Sequence, residues 1–187
     1  MVTWFDGAVV VVVLVYAFLG YKSGLVRRVI GFAALYAGFY AATYVGHAGV
    51  PLLKQANPLL ETSDGRIYLF FGTLALVVFL VEVVATLYHQ ELQVSLVALN
   101  HLSGLLVGAF TGLTAVTLAW VVLNAAGNPL GGSLTTAQTR IREDVGHSYL
   151  GPKLASSLGG PLETAFRPAL PHDLSTYFGG AGSNPSS

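Results

Sequence analysis

The chain has 187 residues, 53% of them hydrophobic and only 10% Asp, Glu, Lys or Arg, with a mean hydropathy of +0.65. A water-facing globule carries about 25% charged residues, so this chain lacks the polar surface for one and is expected in a membrane. Nine Lys and Arg balance nine Asp and Glu, which leaves no basic field to attract nucleic acid. The absence of Cys excludes disulfides, Cys-ligated zinc and a thiol nucleophile.

A spanning helix needs roughly 20 mostly apolar residues, and four runs bounded by charge or turn residues approach that length. The first is Gly7 to Tyr21, extended towards the interface by Trp4 and Phe5. Its Val9 to Val13 stretch favours strand in water, but lipid offers exposed backbone no partner, so a helix is expected. The second is Val29 to Val50, rich in Ala, Gly and Tyr and closed by Pro51; the third is Ile67 to Tyr88, charged only at Glu82; the fourth is Leu102 to Leu123, followed by Asn124 and Gly127-Asn128-Pro129.

A signal peptide carries its basic residues before the apolar run, whereas Lys22, Arg27 and Arg28 follow this one, so the first segment is expected to stay in place. Basic residues also hold their loop in the cytoplasm. A cytoplasmic basic loop at Lys22, Arg27 and Arg28 puts both termini outside, with the Pro51 to Arg66 loop and its Lys54 and Arg66 on the same outer side.

Beyond Leu123 the composition shifts to Gly, Pro, Ser and Thr. Leu150, Leu154, Leu158, Leu162, Phe166, Leu170, Leu174 and Phe178 recur every fourth residue. A straight helix rotates such a row by about 40° per step, and Pro152, Gly159-Gly160-Pro161, Pro168 and Pro171 interrupt it. One reading is short amphipathic pieces along the membrane surface, with a helix over Ser133 to Val145 capped by Ser133; the other is a loose tail with chance spacing. Gly179 to Ser187 is expected to be disordered.

Helices in lipid associate through close backbone approach and interhelical polar contacts. Gly104, Gly108 and Gly112 form a double GxxxG, the second run carries Ala34, Gly38, Ala42 and Gly46, and Gly20 and Gly24 follow the first. These stripes pack the helices within one chain or pair two chains.

Glu82 is the acidic side chain well inside a predicted span, where it must be protonated, paired or facing water. It is either a proton or cation relay or a neutral carboxyl bonded to a Thr such as Thr111, Thr114 or Thr117. Asp6, Asn100, His47 and His101 sit near span ends, within reach of headgroup water. No HExxH, P-loop or GxGxxG occurs, and Gly146-His147-Ser148-Tyr149-Leu150 departs from a GxSxG elbow at its last position. No enzyme activity, cofactor or metal is expected.

The arrangement resembles the colicin V production protein family, usually called CvpA, over roughly residues 1 to 170. Trp4-Phe5-Asp6 matches that family's W-x-D start, Gly20 and Gly24 followed by Arg27-Arg28 match its G-x-x-x-G and cation, and Asn100 followed by Gly104, Gly108 and Gly112 matches its glycine ladder. His101 stands where the family commonly has a permanently basic residue, and Thr111 where a Lys is frequent. The resemblance implies a four-helix inner-membrane protein needed for production or export of a peptide toxin in some bacteria, with a broader part in envelope homeostasis. Some members of the wider family resemble anchors for a serine protease domain after the fourth span. The stretch from Ala125 onward is shorter than such a domain, so the expected partner would be one acting in trans.

The expectation is therefore an all-α fold, an integral membrane four-helix bundle over residues 1–124 with a tail of broken amphipathic helices over 125–178 and a disordered end over 179–187. The expected role is non-enzymatic assembly with the lipid bilayer and other envelope proteins in the bacterial inner membrane, with homo-oligomerisation as a further outcome of the glycine stripes. The alternative is a permease or channel subunit in which Glu82 lines a proton or ion path; Glu82 and Asn100 are the candidate intramembrane polar site.

Overall fold

The computed structural model describes residues 3–50, 55, 57, 62–87, 97–130, 133–172 and 174, and the regular structure among them is helical. Helix α1 (Trp4–Tyr44) continues into a widened π turn (Val45–Gly49); α2 (Ser63–Leu87) and α3 (Val97–Gly127) follow. Three helices are long and apolar enough to cross a bilayer: Trp4–Gly49, Ser63–Leu87 and Leu99–Gly127.

Separate first and second helices joined by a basic loop were expected; the chain instead forms one element broken at Gly24, with Lys22, Arg27 and Arg28 in helix. Gly24 adopts φ 78° and ψ 176°, a conformation only Gly holds at low cost. One residue thus reverses the chain, and no loop has to expose unpaired backbone to lipid.

The two arms of α1 lie against α3 in opposite directions. Along residues 4–23, Gly20 meets Gly104, Tyr16 meets Gly108, Val13 meets Gly112, and Val9 shares a core with Val116, which is antiparallel packing. Along residues 25–44, Phe32 stacks on Phe110 with ring centroids 5.9 Å apart, and Leu35, Phe39 and Ala42 share a core with Leu118, Val122 and Ala126, which is parallel packing. Helix α2 runs antiparallel to this second arm, with Thr86 at Arg27, Leu74 at Gly38 and Phe70 at Phe39. Helix α3 is the most buried of the three apolar helices because it touches both arms.

The residues after α3 are more ordered than a surface tail. Helix α4 (Thr136–Gly146) is capped by Thr135, whose hydroxyl accepts from Gln138 N at 3.2 Å while Gln138 Oε1 accepts from Thr135 N at 3.1 Å. The expected cap, Ser133, lies two residues upstream; Thr135 wins because it has Gln three residues on, a reciprocal capping box. Then α5 (Leu150–Leu154), a π turn (Ala155–Gly159) and α6 (Gly160–Phe166) run on without a gap. Pro152 sits in a first turn, where its missing N–H costs nothing, and the widened turn precedes Pro161, whose ring would otherwise press on the carbonyl four residues back. The interruptions expected at both prolines are absent for these reasons.

Leu162, Phe166, Ala169 and Leu170 are buried in the core of α1, α2 and α3. Phe166 packs its ring against Tyr36 at 5.1 Å and Phe39 at 6.0 Å, and Thr43 donates to the Ala169 carbonyl at 2.7 Å. The helical pieces therefore pack one face into the bundle, where burying Phe166 and Leu170 gains more than leaving them exposed. Phe178 and Gly179 to Ser187 lie outside the described residues.

Candidate functional site

The glycines form a seam in which backbone touches backbone. A Cβ at Gly20 would lie 2.1 Å from the Gly104 carbonyl oxygen, one at Gly104 would lie 2.3 Å from the Gly20 oxygen, and one at Gly108 would lie 2.3 Å from the Tyr16 oxygen. Gly112 faces Val13 and Tyr16, and Gly38 meets Leu74 on α2 rather than the seam. At its end the seam is locked by Asn100, whose Oδ1 accepts from Leu25 N at 2.8 Å. That N–H begins a new helical arm and has lost its intrahelical partner at the break, so Asn100 caps the second arm from another helix. Asn100 is a seam residue here and lies apart from Glu82. His101, its neighbour, meets the Tyr21 carbonyl through Nδ1 on the exposed side.

Glu82 does not bond the threonines of α3. Thr111 and Thr117 donate to their own helix, to Val107 O and Leu113 O, each at 2.7 Å. Short hydroxyls on a helix reach the carbonyl four residues back more readily than a neighbouring helix. The carboxylate instead bridges two guanidinium groups: Arg27 Nη2 lies 3.3 Å from Oε2 and Arg28 Nη1 lies 3.4 Å from Oε1. Arg28 is 1% exposed and its Nε donates to Ser23 Oγ at 3.0 Å, while Thr86 accepts from Arg27. Gly31 leaves the space, since a Cβ there would lie 3.0 Å from Glu82 Oε1. A cytoplasmic loop at Arg27 and Arg28 would hold both away from Glu82. The break at Gly24 puts both one turn into the second arm, level with the last turns of α2. Of the basic group only Lys22 remains outside this cluster, with its ammonium 5.6 Å from the Phe18 ring centre.

Asp6, expected within reach of headgroup water, is 4% exposed. Its Oδ1 accepts from Ser148 Oγ at 2.7 Å and Leu150 N at 2.8 Å, and its Oδ2 from Thr3 N at 2.8 Å and Tyr149 N at 3.1 Å. One carboxylate thus caps the start of α1 and the start of α5 together. Ser148 Oγ in turn accepts from Gly151 N at 2.9 Å. Its proton is committed to Asp6, and the neighbouring His147 turns Nδ1 to the Glu143 carbonyl at 2.7 Å, so the two do not form a nucleophile and base. Among the described residues, no three His, Asp or Glu side chains gather as metal ligands would.

A second polar patch surrounds the Trp4 end of the molecule. Asp64 at the start of α2 accepts from Thr135 at the start of α4, and beside them a 640 Å³ cleft is lined by Trp4, Tyr68, Phe71, Arg140 and Asp144 among others. Nothing in the spacing of the sequence connects Asp64 to Thr135; they meet because α3 returns the chain to the end where α2 began.

No curated protein and no solved structure matches this chain. One family model does, described as colicin V production protein, and it covers residues 5–140. That range opens on the Phe5-Asp6 cap and takes in the Gly24 break, the Arg27–Arg28–Glu82 cluster and the Asn100 to Gly112 face of α3. It closes inside α4, ahead of Ser148 and the pieces packed into the bundle. With well over half of its length covered, including both arms of the glycine seam, the chain belongs to the colicin V production protein family.

Proposed function

We propose that the protein is a four-span inner-membrane component that works by assembling with other envelope proteins, in support of toxin production or export and of envelope homeostasis. Each arm of α1 provides one span, since an arm of about 20 residues reaches about 30 Å; α2 and α3 provide the others. In this reading Lys22, Arg27 and Arg28 mark the cytoplasmic end. The Trp4 end, with the cleft between Tyr68 and Arg140, then faces outward, and the chain termini lie on that side. Partners dock there, an extracytoplasmic protease acting in trans being one class that fits.

The observation that carries this reading over a permease is the way the interior is filled. Backbone contacts close the seam from Gly20 to Gly112, Phe166 and Leu170 plug the space between α1 and α3, and both oxygens of Glu82 face guanidinium groups.

Two measurements test it. Affinity purification of the full chain from detergent-solubilised membranes is expected to recover envelope proteins, and Arg140→Glu at the outward cleft is expected to reduce that recovery at least threefold. Vesicles reconstituted with the chain are expected to show no proton or ion flux above empty vesicles; a flux abolished by Glu82→Gln supports the permease reading instead.

A further inference from the structure

Among the described residues, the charges around Glu82 do not balance: two guanidinium groups share one carboxylate. Among the described residues, Arg28 Nη1 and Arg27 Nε have no hydrogen-bond acceptor, and both atoms are shielded from solvent. The 3.4 Å approach of Arg28 to Glu82 is an ion pair without hydrogen-bond alignment. Buried guanidinium donors left open are costly, and Arg28 is 1% exposed.

The two arginines line a 340 Å³ cleft together with Leu19, Phe79, Glu82 and Thr86 among others. The walls of the cleft are apolar and outward-facing, Phe79 being 64% and Leu19 41% exposed. Its polar floor lies one turn from the Gly24 reversal and within the last turns of α2. In a chain whose arms reach about 30 Å, that is about one turn inside the boundary where acyl chains meet headgroups, within reach of a long arginine side chain. Excess positive charge at the floor and hydrocarbon walls above it complement an amphiphile with an anionic head.

We infer that the cleft between the first turns of the second α1 arm and the end of α2 is a binding site for an anionic phospholipid. Its phosphate is held by Arg27 and Arg28, and its acyl chains lie along Leu19 and Phe79. A guanidinium pair suits this role because its fixed fork matches phosphate oxygens. Glu82 sets the strength of the site by offsetting one of the two cations. The site is independent of which envelope proteins the chain meets.

The test uses the full chain in detergent, probed with phosphatidylglycerol, phosphatidylcholine and inorganic phosphate, and read by native mass spectrometry and by melting temperature. Phosphatidylglycerol is expected to be retained at least fivefold better than phosphatidylcholine. Arg27→Gln is expected to lose at least fivefold of that retention, and exposed Lys22→Gln to keep it. Glu82→Gln is expected to retain more lipid than the parent and to depend more on it for melting temperature. A merely structural cluster predicts loss in both Arg27→Gln and Glu82→Gln. The proposal is overturned by that parallel loss, by Arg27→Gln binding as the parent does, or by inorganic phosphate raising the melting temperature as much as phosphatidylglycerol at equal concentration.

Discussion

The Leu25 amide donates to Asn100 Oδ1 at 2.8 Å across a separation of 75 residues in sequence, so the reversal of α1 and the start of α3 hold each other in place. Gly24 supplies the backbone conformation and Asn100 the missing acceptor. The Asn100 side chain also fills the space a Cβ at Gly24 would need, 2.4 Å from its Nδ2. The turn and its cap are therefore one device.

Asn100→Ala removes that acceptor and leaves the Leu25 N–H unpaired, at a cost of about 1–3 kcal/mol. The melting temperature of the detergent-solubilised chain is expected to fall accordingly. Asn100→Asp, which keeps an oxygen in reach, is expected to recover most of the loss.

Glycine position decides the effect of adding one methyl group. Gly104→Ala pushes a Cβ against the Gly20 oxygen at 2.3 Å and the Gly24 carbonyl carbon at 2.7 Å, both backbone atoms that cannot swing away. It is expected to destabilise by about 1–3 kcal/mol, the usual cost of overpacking. Gly72→Ala on α2 meets nothing within 4 Å and is expected to be neutral or slightly stabilising. Thermal unfolding of the two variants side by side checks the contrast.

Asp6→Asn tests the tether between α1 and the residues beyond the family match. Asp6 accepts at both oxygens, and an amide NH2 at either one faces donors with a donor. The start of α5 is expected to loosen by about 1–3 kcal/mol, and tryptic cleavage after Lys153 is expected to become at least several-fold faster. Ser148→Ala removes a single bond and is expected to have the smaller effect.

The glycine seam was legible because a missing Cβ is itself a sequence feature: Gly20, Gly24, Gly104 and Gly108 stand at helical spacing, and close approach in lipid follows from it. The membrane character was legible from composition. The reversal at a single residue was not, since Tyr21 to Val29 reads equally as loop or helix and the partner that decides, Asn100, lies on a distant segment. Glu82 is conspicuous in the sequence, whereas Arg27 and Arg28 read there as topological charges. Pairing the second and third segments end to end puts Glu82 level with Leu35, about two turns from Arg27; the register that brings the charges together is set by the Gly24 break. The burial of Asp6 depends on Ser148 to Leu150, and no local pattern announces a cap shared by two helices. The every-fourth spacing from Leu150 to Leu170 held real information: the π turn at Ala155–Gly159 slows the rotation of that row, and Leu162, Phe166 and Leu170 reach the core together.

The central claim is that α1 doubles back at Gly24 so that both arms lie on α3. The chain has no cysteine, so paired replacements report contacts without background. In membrane vesicles, oxidative or short-reagent crosslinking is expected to join Val9→Cys to Val116→Cys, and Phe32→Cys to Phe110→Cys, each within a single chain. A straight helix over Trp4–Tyr44 would extend about 60 Å and could bring only one of these pairs together. Crosslinking of both pairs is the result this account predicts; efficient joining of one pair with none of the other would contradict it.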